Sequence, residues 1–137
     1  AKGKAVFIPI DNIASAELAD SQYPFIMTTG RVLYQYHAMS MSGRVEQLNK
    51  KASESYLEMN TATADRLGFK DGDNVRVTSR RGSVVTTVKA TEKINESILF
   101  MPMHFSDAKV NYLTNTELDA VAKIPELKVA AVSVEKV

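Results

Sequence analysis

Apolar and polar residues alternate with a period of two in several short runs, and glycine, proline or small polar residues punctuate them. Phe25 to Thr29 is predicted as the first strand, stopped at Gly30. Ser55 to Met59 sets Tyr56 and Glu58 against Leu57 and Met59, the pattern of a half-buried strand. Val75 and Val77 alternate with Arg76 and Thr78, and Ser83 to Thr91 returns as a long β-branched strand. Between them Arg80-Arg81-Gly82 is expected to reverse tightly, with Gly82 at positive φ. Ile98 to Met101 is a short apolar strand ending at Pro102, which also biases Met101 toward extended backbone. Val129 to Val134 forms the last strand. Six short strands, one or two short helices and long loops predict a mainly β architecture, a compact barrel with helical insertions.

The helical signals are local. Asn60 or Thr61 is placed to cap a helix through Ala62, Ala64 and Leu67, which Gly68 stops. Glu46 to Lys51 reads as one short helical segment, and helical turns are expected around Asp107 to Tyr112. Lys70-Asp71-Gly72-Asp73 is a turn, and turn formation accounts for both aspartates better than acid-base chemistry does. Before Phe25 the chain carries Pro9 and Pro24 and lacks a sustained period, so residues 1–24 read as a connector along a surface. A short helix from Ser15 to Ala19 is the alternative there.

Composition then narrows the function. A chain of 137 residues suits one domain, and the barrel is assigned to residues 25–137. Seventeen basic against sixteen acidic residues leave a net charge of +1, so the field of a nucleic-acid binder is missing, despite the local pair Arg80 and Arg81. No stretch is long and apolar enough to span a membrane, and no targeting pattern is expected at the start. With no cysteine, this polypeptide cannot itself hold an iron-sulfur cluster or a thiolate zinc site. Its two histidines, His37 and His104, are far apart, and no metal site of its own is expected.

The densest chemistry lies between Phe25 and Arg44, where Gly30, Arg31, Tyr34, Tyr36 and His37 lead into a run of Met and Ser. A glycine permits close backbone approach to a ligand, a guanidinium matches phosphate, and hydroxyls, imidazole and amides read the edge of a flat heterocycle. Together these suit a dinucleotide-like anion with a ring at one end. Each residue also has an ordinary alternative: His37 bonding across a loop, Asn111 capping a turn, Lys128 as a solvated charge, Met103 filling a gap. No Gly-x-Ser-x-Gly elbow, phosphate loop or three-glycine fingerprint is present.

Three separated segments, TTGRVLYQYHAMSMSGR, YLEMNTATADRLGFKDGDNVRVTSRRG and FMPMHFSDAKVNYLTNTELDAVAKIPELKVAAV, resemble in order and spacing a known domain. It is the C-terminal molybdopterin-dinucleotide-binding domain of molybdenum or tungsten oxidoreductases. The resemblance is strongest to formate dehydrogenase alpha (catalytic) subunits, with nitrate reductases next. It covers the chain from about Tyr23 onward, and the opening segment resembles the linker from a preceding domain.

The resemblance implies a double-psi β-barrel, as in the C-terminal domains of formate dehydrogenase and DMSO reductase, closing over a bis-molybdopterin guanine dinucleotide of molybdenum or tungsten. It implies cofactor contacts at Thr29, Gly30, Arg31, Gln35, Tyr36, His37 and Ser40, at Met103 or His104, and at Asn111 and Lys128. Met103 departs from the aromatic residue of some relatives. It implies no catalytic residue here, because the metal-ligating cysteine or selenocysteine, the catalytic His-Arg pair and the iron-sulfur cysteines belong to earlier domains. The expected partners are those remaining domains and electron-transfer subunits, with no nucleic acid or membrane. A cytoplasmic location is expected, and a periplasmic one stays open. The chain reads either as part of a larger subunit or as a separate cofactor-binding subunit of the kind found in tungsten formylmethanofuran dehydrogenases. The competing non-enzymatic reading is a double-psi barrel used as a partner-binding module.

Overall fold

A computed structural model describes residues 3–137. Residues 1 and 2 of the expected 1–24 connector lie outside the described residues. Six strands form: β1 Phe25–Gly30, β2 Tyr56–Asn60, β3 Asn74–Thr78, β4 Ser83–Thr91, β5 Ile98–Pro102 and β6 Ala130–Lys136. Two short helices accompany them, α1 Glu46–Asn49 and α2 Thr61–Leu67, with 3-10 turns at Ser42–Arg44 and Val110–Tyr112. Each element that the alternation predicts is present, and the last strand is shifted by one residue at its start and extends two further at its end. The expected turns around 107–112 condense into the single 3-10 turn.

The strands close into a barrel in the order β1-β5-β2-β4-β3-β6. Closure leaves no open sheet edge, which removes the risk of edge pairing with another chain. The inward residues are those that the period of two selects: Met27, Leu57, Met59, Val75, Val77, Leu99, Met101 and Val132 are fully buried. Burying a side chain of this size contributes about 1.5–3 kcal/mol. One register shift would turn a whole row outward, so this alternation also sets the pairing, as in Val77 opposite Val84.

The pairing has an internal two-fold relation. Exchanging β1 with β4, β2 with β5 and β3 with β6 reproduces the ring order. It also maps parallel β1/β5 onto parallel β2/β4, and antiparallel β1/β6 onto antiparallel β3/β4. This is the double-psi β-barrel. The two halves differ in their connections: residues 31–55 follow β1, whereas only 92–97 follow its counterpart β4. Likewise 103–129 follow β5, whereas 61–73 follow β2. The long insertions all leave one end of the barrel.

The compact end shows the local chemistry clearly. Asn60 accepts from the Ala62 amide at 2.9 Å to cap α2, and Gly68 ends it in the left-handed region at φ 73°. Asn60 Nδ2 also donates to the Ile94 carbonyl, and Thr63 Oγ1 to that of Glu96, joining the two short connections. In the following turn Gly72 takes φ 84°, Asp73 accepts from the Lys70 amide and Asp71 from that of Ala90.

Two expectations are corrected. Gly82 is not at positive φ, and a Cβ there would make a contact of 3.4 Å with the Tyr112 carbonyl oxygen, about van der Waals distance. No helix forms from Ser15 to Ala19. So short a helix cannot offset its nucleation cost alone, and the segment instead spends its polar side chains on the barrel: Ser15 bonds Glu126, and Glu17 pairs with Arg80 and Arg81. Among the described residues no helix is long and apolar enough to cross a membrane.

Candidate functional site

Because β1 runs parallel to β5 and antiparallel to β6, the ends of β1 and β5 and the start of β6 meet at one end of the barrel. Thr29, buried, donates from Oγ1 to the Leu127 carbonyl at 2.8 Å. Its own carbonyl accepts from Lys128 Nζ at 2.5 Å. The Gly30 carbonyl accepts from the Met103 amide at 2.9 Å. Three segments distant in sequence are thus tied within two residues of one strand end. Gly30 itself is not at positive φ. The space its side chain would take is filled by the Phe100 ring, so the glycine serves packing there.

The loop after Gly30 is held by two buried side chains. His104, 2% exposed, accepts at Nε2 from the Val32 amide at 2.8 Å, and its Nδ1 lies 2.5 Å from the His37 carbonyl. A carbonyl only accepts, so the partners assign a neutral imidazole with its proton on Nδ1. Gln35 accepts at Oε1 from Ser42 Oγ at 2.7 Å and donates from Nε2 to the Ala52 carbonyl at 2.6 Å and to Asn49 at 3.3 Å. Ser42 Oγ in turn accepts from the Tyr36 amide at 2.9 Å. The polar atoms of Gln35 and His104 are therefore engaged within the protein. They shape the loop.

These braces hold an unfavourable backbone. His37 and Met39 take φ of 45° and 59°, a region that costs a side chain about 1–3 kcal/mol. The result presents the Tyr36 and His37 rings to solvent, edge to face at 4.3 Å and 86°. Arg31 and Ser40 are exposed on the same loop.

Between this loop and residues 103–111 lies a groove in two adjacent parts of about 520 and 220 Å3, which share Ala38, His104, Phe105 and Ser106 as lining residues. The larger part reaches Ser40, Arg44 and Asp107, and the smaller reaches Met103, Lys109 and Asn111. Of the expected contacts, the structure brings Ser40, Met103, His104 and Asn111 to the groove. Arg31, Tyr36 and His37 stand on the loop beside it without lining it, and Thr29 with Lys128 form the strand-end knot beneath. Arg44, Phe105, Ser106 and Lys109 were not singled out for this role from the sequence. Their only signal is position within the first and third of the three resembling segments, which does not separate them from solvated neighbours.

Three cations stand on the groove side. Among the described residues Arg31, Arg44 and Lys109 have no carboxylate partner within salt-bridge distance, a state they share with lysines elsewhere such as Lys51, Lys70, Lys93 and Lys123. Free cations, exposed rings and a polar cleft match the phosphates and heterocycles of a dinucleotide. A lone carboxylate, Asp107, faces the larger part. Among the described residues no group of three or more His, Cys, Asp or Glu could hold a metal ion.

Comparison with known proteins bears on the family and the fold. The alpha subunit of an F420-dependent formate dehydrogenase from Methanocaldococcus jannaschii is 43% identical over 98% of this chain, which covers 20% of that protein. The alpha subunit of F420-dependent formate dehydrogenase 2 from Methanococcus maripaludis is 39% identical over 98% of the chain, again covering 20%. A nitrate reductase from Symbiobacterium thermophilum is 40% identical over 98% of the chain and 18% of its own length. The chain thus spans about a fifth of the length of these relatives. Among solved structures, acetylene hydratase from Pelobacter acetylenicus shares the fold, with TM-score 0.67 and 17% identity over 84% of this chain and 18% of that one. The family pattern of the molydopterin dinucleotide binding domain matches residues 25–131, and with the barrel and its loop-lined end in place, the chain belongs to that family.

Proposed function

We propose that this domain holds a bis-molybdopterin guanine dinucleotide, carrying molybdenum or tungsten, inside a formate dehydrogenase alpha subunit. When bound, that cofactor supplies the two-electron oxidation of formate to carbon dioxide. The protein's part is binding, orientation and electrostatics. The observation that carries the reading is the convergence of Thr29-Gly30, Met103-His104 and Lys128 on one strand end, beside a cleft flanked by unpaired Arg31, Arg44 and Lys109. Arg31 and Lys109 offset phosphate charge, Asn111 offers a paired donor and acceptor to a heterocycle, and the Tyr36 and His37 rings give apolar faces. Thr29, Gly30, Gln35 and His104 act by holding the loops, and Ser40 and Met103 act as groove walls.

Catalytic residues and iron-sulfur clusters belong, in this reading, to other domains of the alpha subunit, which together with electron-transfer subunits are the partners. A barrel alone offers one side of the cofactor's pocket, so by itself this chain does not oxidise formate. The relatives' F420 dependence favours an F420-dependent enzyme. A nitrate reductase is the second reading, favoured by the 40% identical relative from Symbiobacterium thermophilum.

The test is Arg31→Ala and Asn111→Ala in the alpha subunit that carries this domain, with pterin and metal content measured per polypeptide. Content is expected to fall several-fold in both variants. Unchanged content in both would refute the reading. Turnover with formate against nitrate in the parent enzyme separates the two activities.

A further inference from the structure

Two hydrogen-bond paths lead from the segment that enters the barrel to the loops that bear Asn111 and Lys128. In the first, Glu17, 8% exposed, accepts from Arg81 Nη1 and Nη2 at 2.8 Å each, a two-point carboxylate-guanidinium pair. Arg80 adds a second guanidinium to Glu17, pairs with Asp20 and lies 4.7 Å over the Tyr23 ring. Arg81 Nη2 donates once more, to the Leu113 carbonyl at 2.6 Å, two residues beyond Asn111. In the second path, Ser15 Oγ donates to Glu126 Oε1 at 2.7 Å, and Asn115 Nδ2 to Glu126 Oε2 at 2.6 Å and to the Val129 carbonyl at 2.9 Å. The two residues between Glu126 and Val129, Leu127 and Lys128, are those that grip Thr29.

A buried carboxylate requires partners, and one guanidinium could satisfy Glu17. What that requirement leaves unexplained is Arg81's further bond to Leu113. A guanidinium has a planar fork of donors. With two of its N–H groups fixed by Glu17, a third is aimed at one carbonyl in the 110–115 turn. We infer that Glu17 and Arg81 form a positioning pair, outside the groove, that sets where the 110–115 turn presents Asn111. Its functional weight rests on the groove being the cofactor site, but its structural content does not.

The experiment compares amide hydrogen exchange and unfolding midpoints in the 137-residue chain and in three variants. Arg81→Lys removes the fork while keeping the charge; exchange across 110–117 is expected to speed at least about tenfold, while β2 and α2 keep their protection. The charge swap Glu17→Arg with Arg81→Glu restores an ion pair but no donor to Leu113. It is expected to recover the unfolding midpoint relative to Glu17→Arg alone without recovering protection at 110–117. Unchanged exchange at 110–117 in Arg81→Lys overturns the inference, as does a uniform increase over the whole barrel. These readings need no cofactor. A loosened turn with full pterin content in the Arg81→Lys alpha subunit supports the pair and counts against the cofactor role of the groove.

Discussion

The Phe100 ring lies where a side chain at Gly30 would be: a Cβ built at Gly30 meets Phe100 Cε2 at 2.5 Å. Gly30 pairs with Pro102 in the parallel β1/β5 ladder, and Thr28 pairs with Phe100, so the clash is between neighbouring strands. The glycine beside Arg31 is therefore a packing requirement of the barrel, and it fixes where the loop departs.

Gly30→Ala is accordingly expected to destabilise the chain by about 1–3 kcal/mol, the range for overpacking a filled site. Phe100→Leu in the same chain should relieve most of the loss, because the contact is with the far end of the ring. Chemical denaturation of the two single variants and the double variant gives the coupling. Additive losses would mean that the ring is not what the new methyl meets.

His104 offers a second check. His104→Phe keeps a ring but leaves the Val32 amide and the His37 carbonyl without partners, a loss of about 1–3 kcal/mol. His104→Gln retains one donor and one acceptor and should lose less. Amide exchange at 32–39 should rise in both, since His104 is what ties down the left-handed residue His37. If His104→Phe left those amides protected, some other contact would be holding the loop.

Much of the barrel is legible in the sequence because strand alternation, the Asn60 cap and the Asp71-Gly72 turn are local, each needing only residues within a turn or two. The internal two-fold is not legible. It exists in pairing sense and ring order, and inward positions such as Met27 and Val84 need only be apolar, so the halves need not share residues. The Glu17–Arg81 pair is hidden for a different reason: its partners are 64 positions apart, and Glu17 taken locally fits a short helix as well as an extended latch. At the site, the family resemblance implied ligand contacts for Gln35 and His104. Burial and saturated hydrogen bonds give both a bracing role that type alone cannot reveal.

Acid should act first at the latch. Burial raises the Glu17 carboxyl, but hydrogen bonds from Arg81, Arg80 and the Ala131 backbone outweigh it and leave the group below its ordinary 4.5. A lowered carboxylate contributes stability that is full above the unfolded value and fades as pH falls through the folded one. Stability should thus drop below about pH 4.5, and Glu17→Gln should flatten that part of the profile while costing about 2 kcal/mol at neutral pH, the range for hydrogen bonds to a charged group. Denaturation midpoints between pH 3 and 7 check it; a parallel curve in Glu17→Gln would assign the acid loss to other carboxylates.

Lys128 and Arg31 separate internal from ligand-directed charge. Lys128 Nζ already donates to the Thr29 carbonyl, so Lys128→Met, which keeps the apolar stem, should lower stability by about 1 kcal/mol with no cofactor present. Arg31 is exposed and has no carboxylate partner within salt-bridge distance among the described residues, so Arg31→Met should stay within about 0.5 kcal/mol of the parent. In the alpha subunit the order should reverse, with Arg31→Met losing at least as much pterin as Lys128→Met, because its charge is uncommitted before the cofactor arrives. Denaturation of the chain and pterin content of the subunit, measured on the same two substitutions, decide it. If Arg31→Met destabilised the chain as much as Lys128→Met, its guanidinium would have an internal partner and could not be reserved for phosphate.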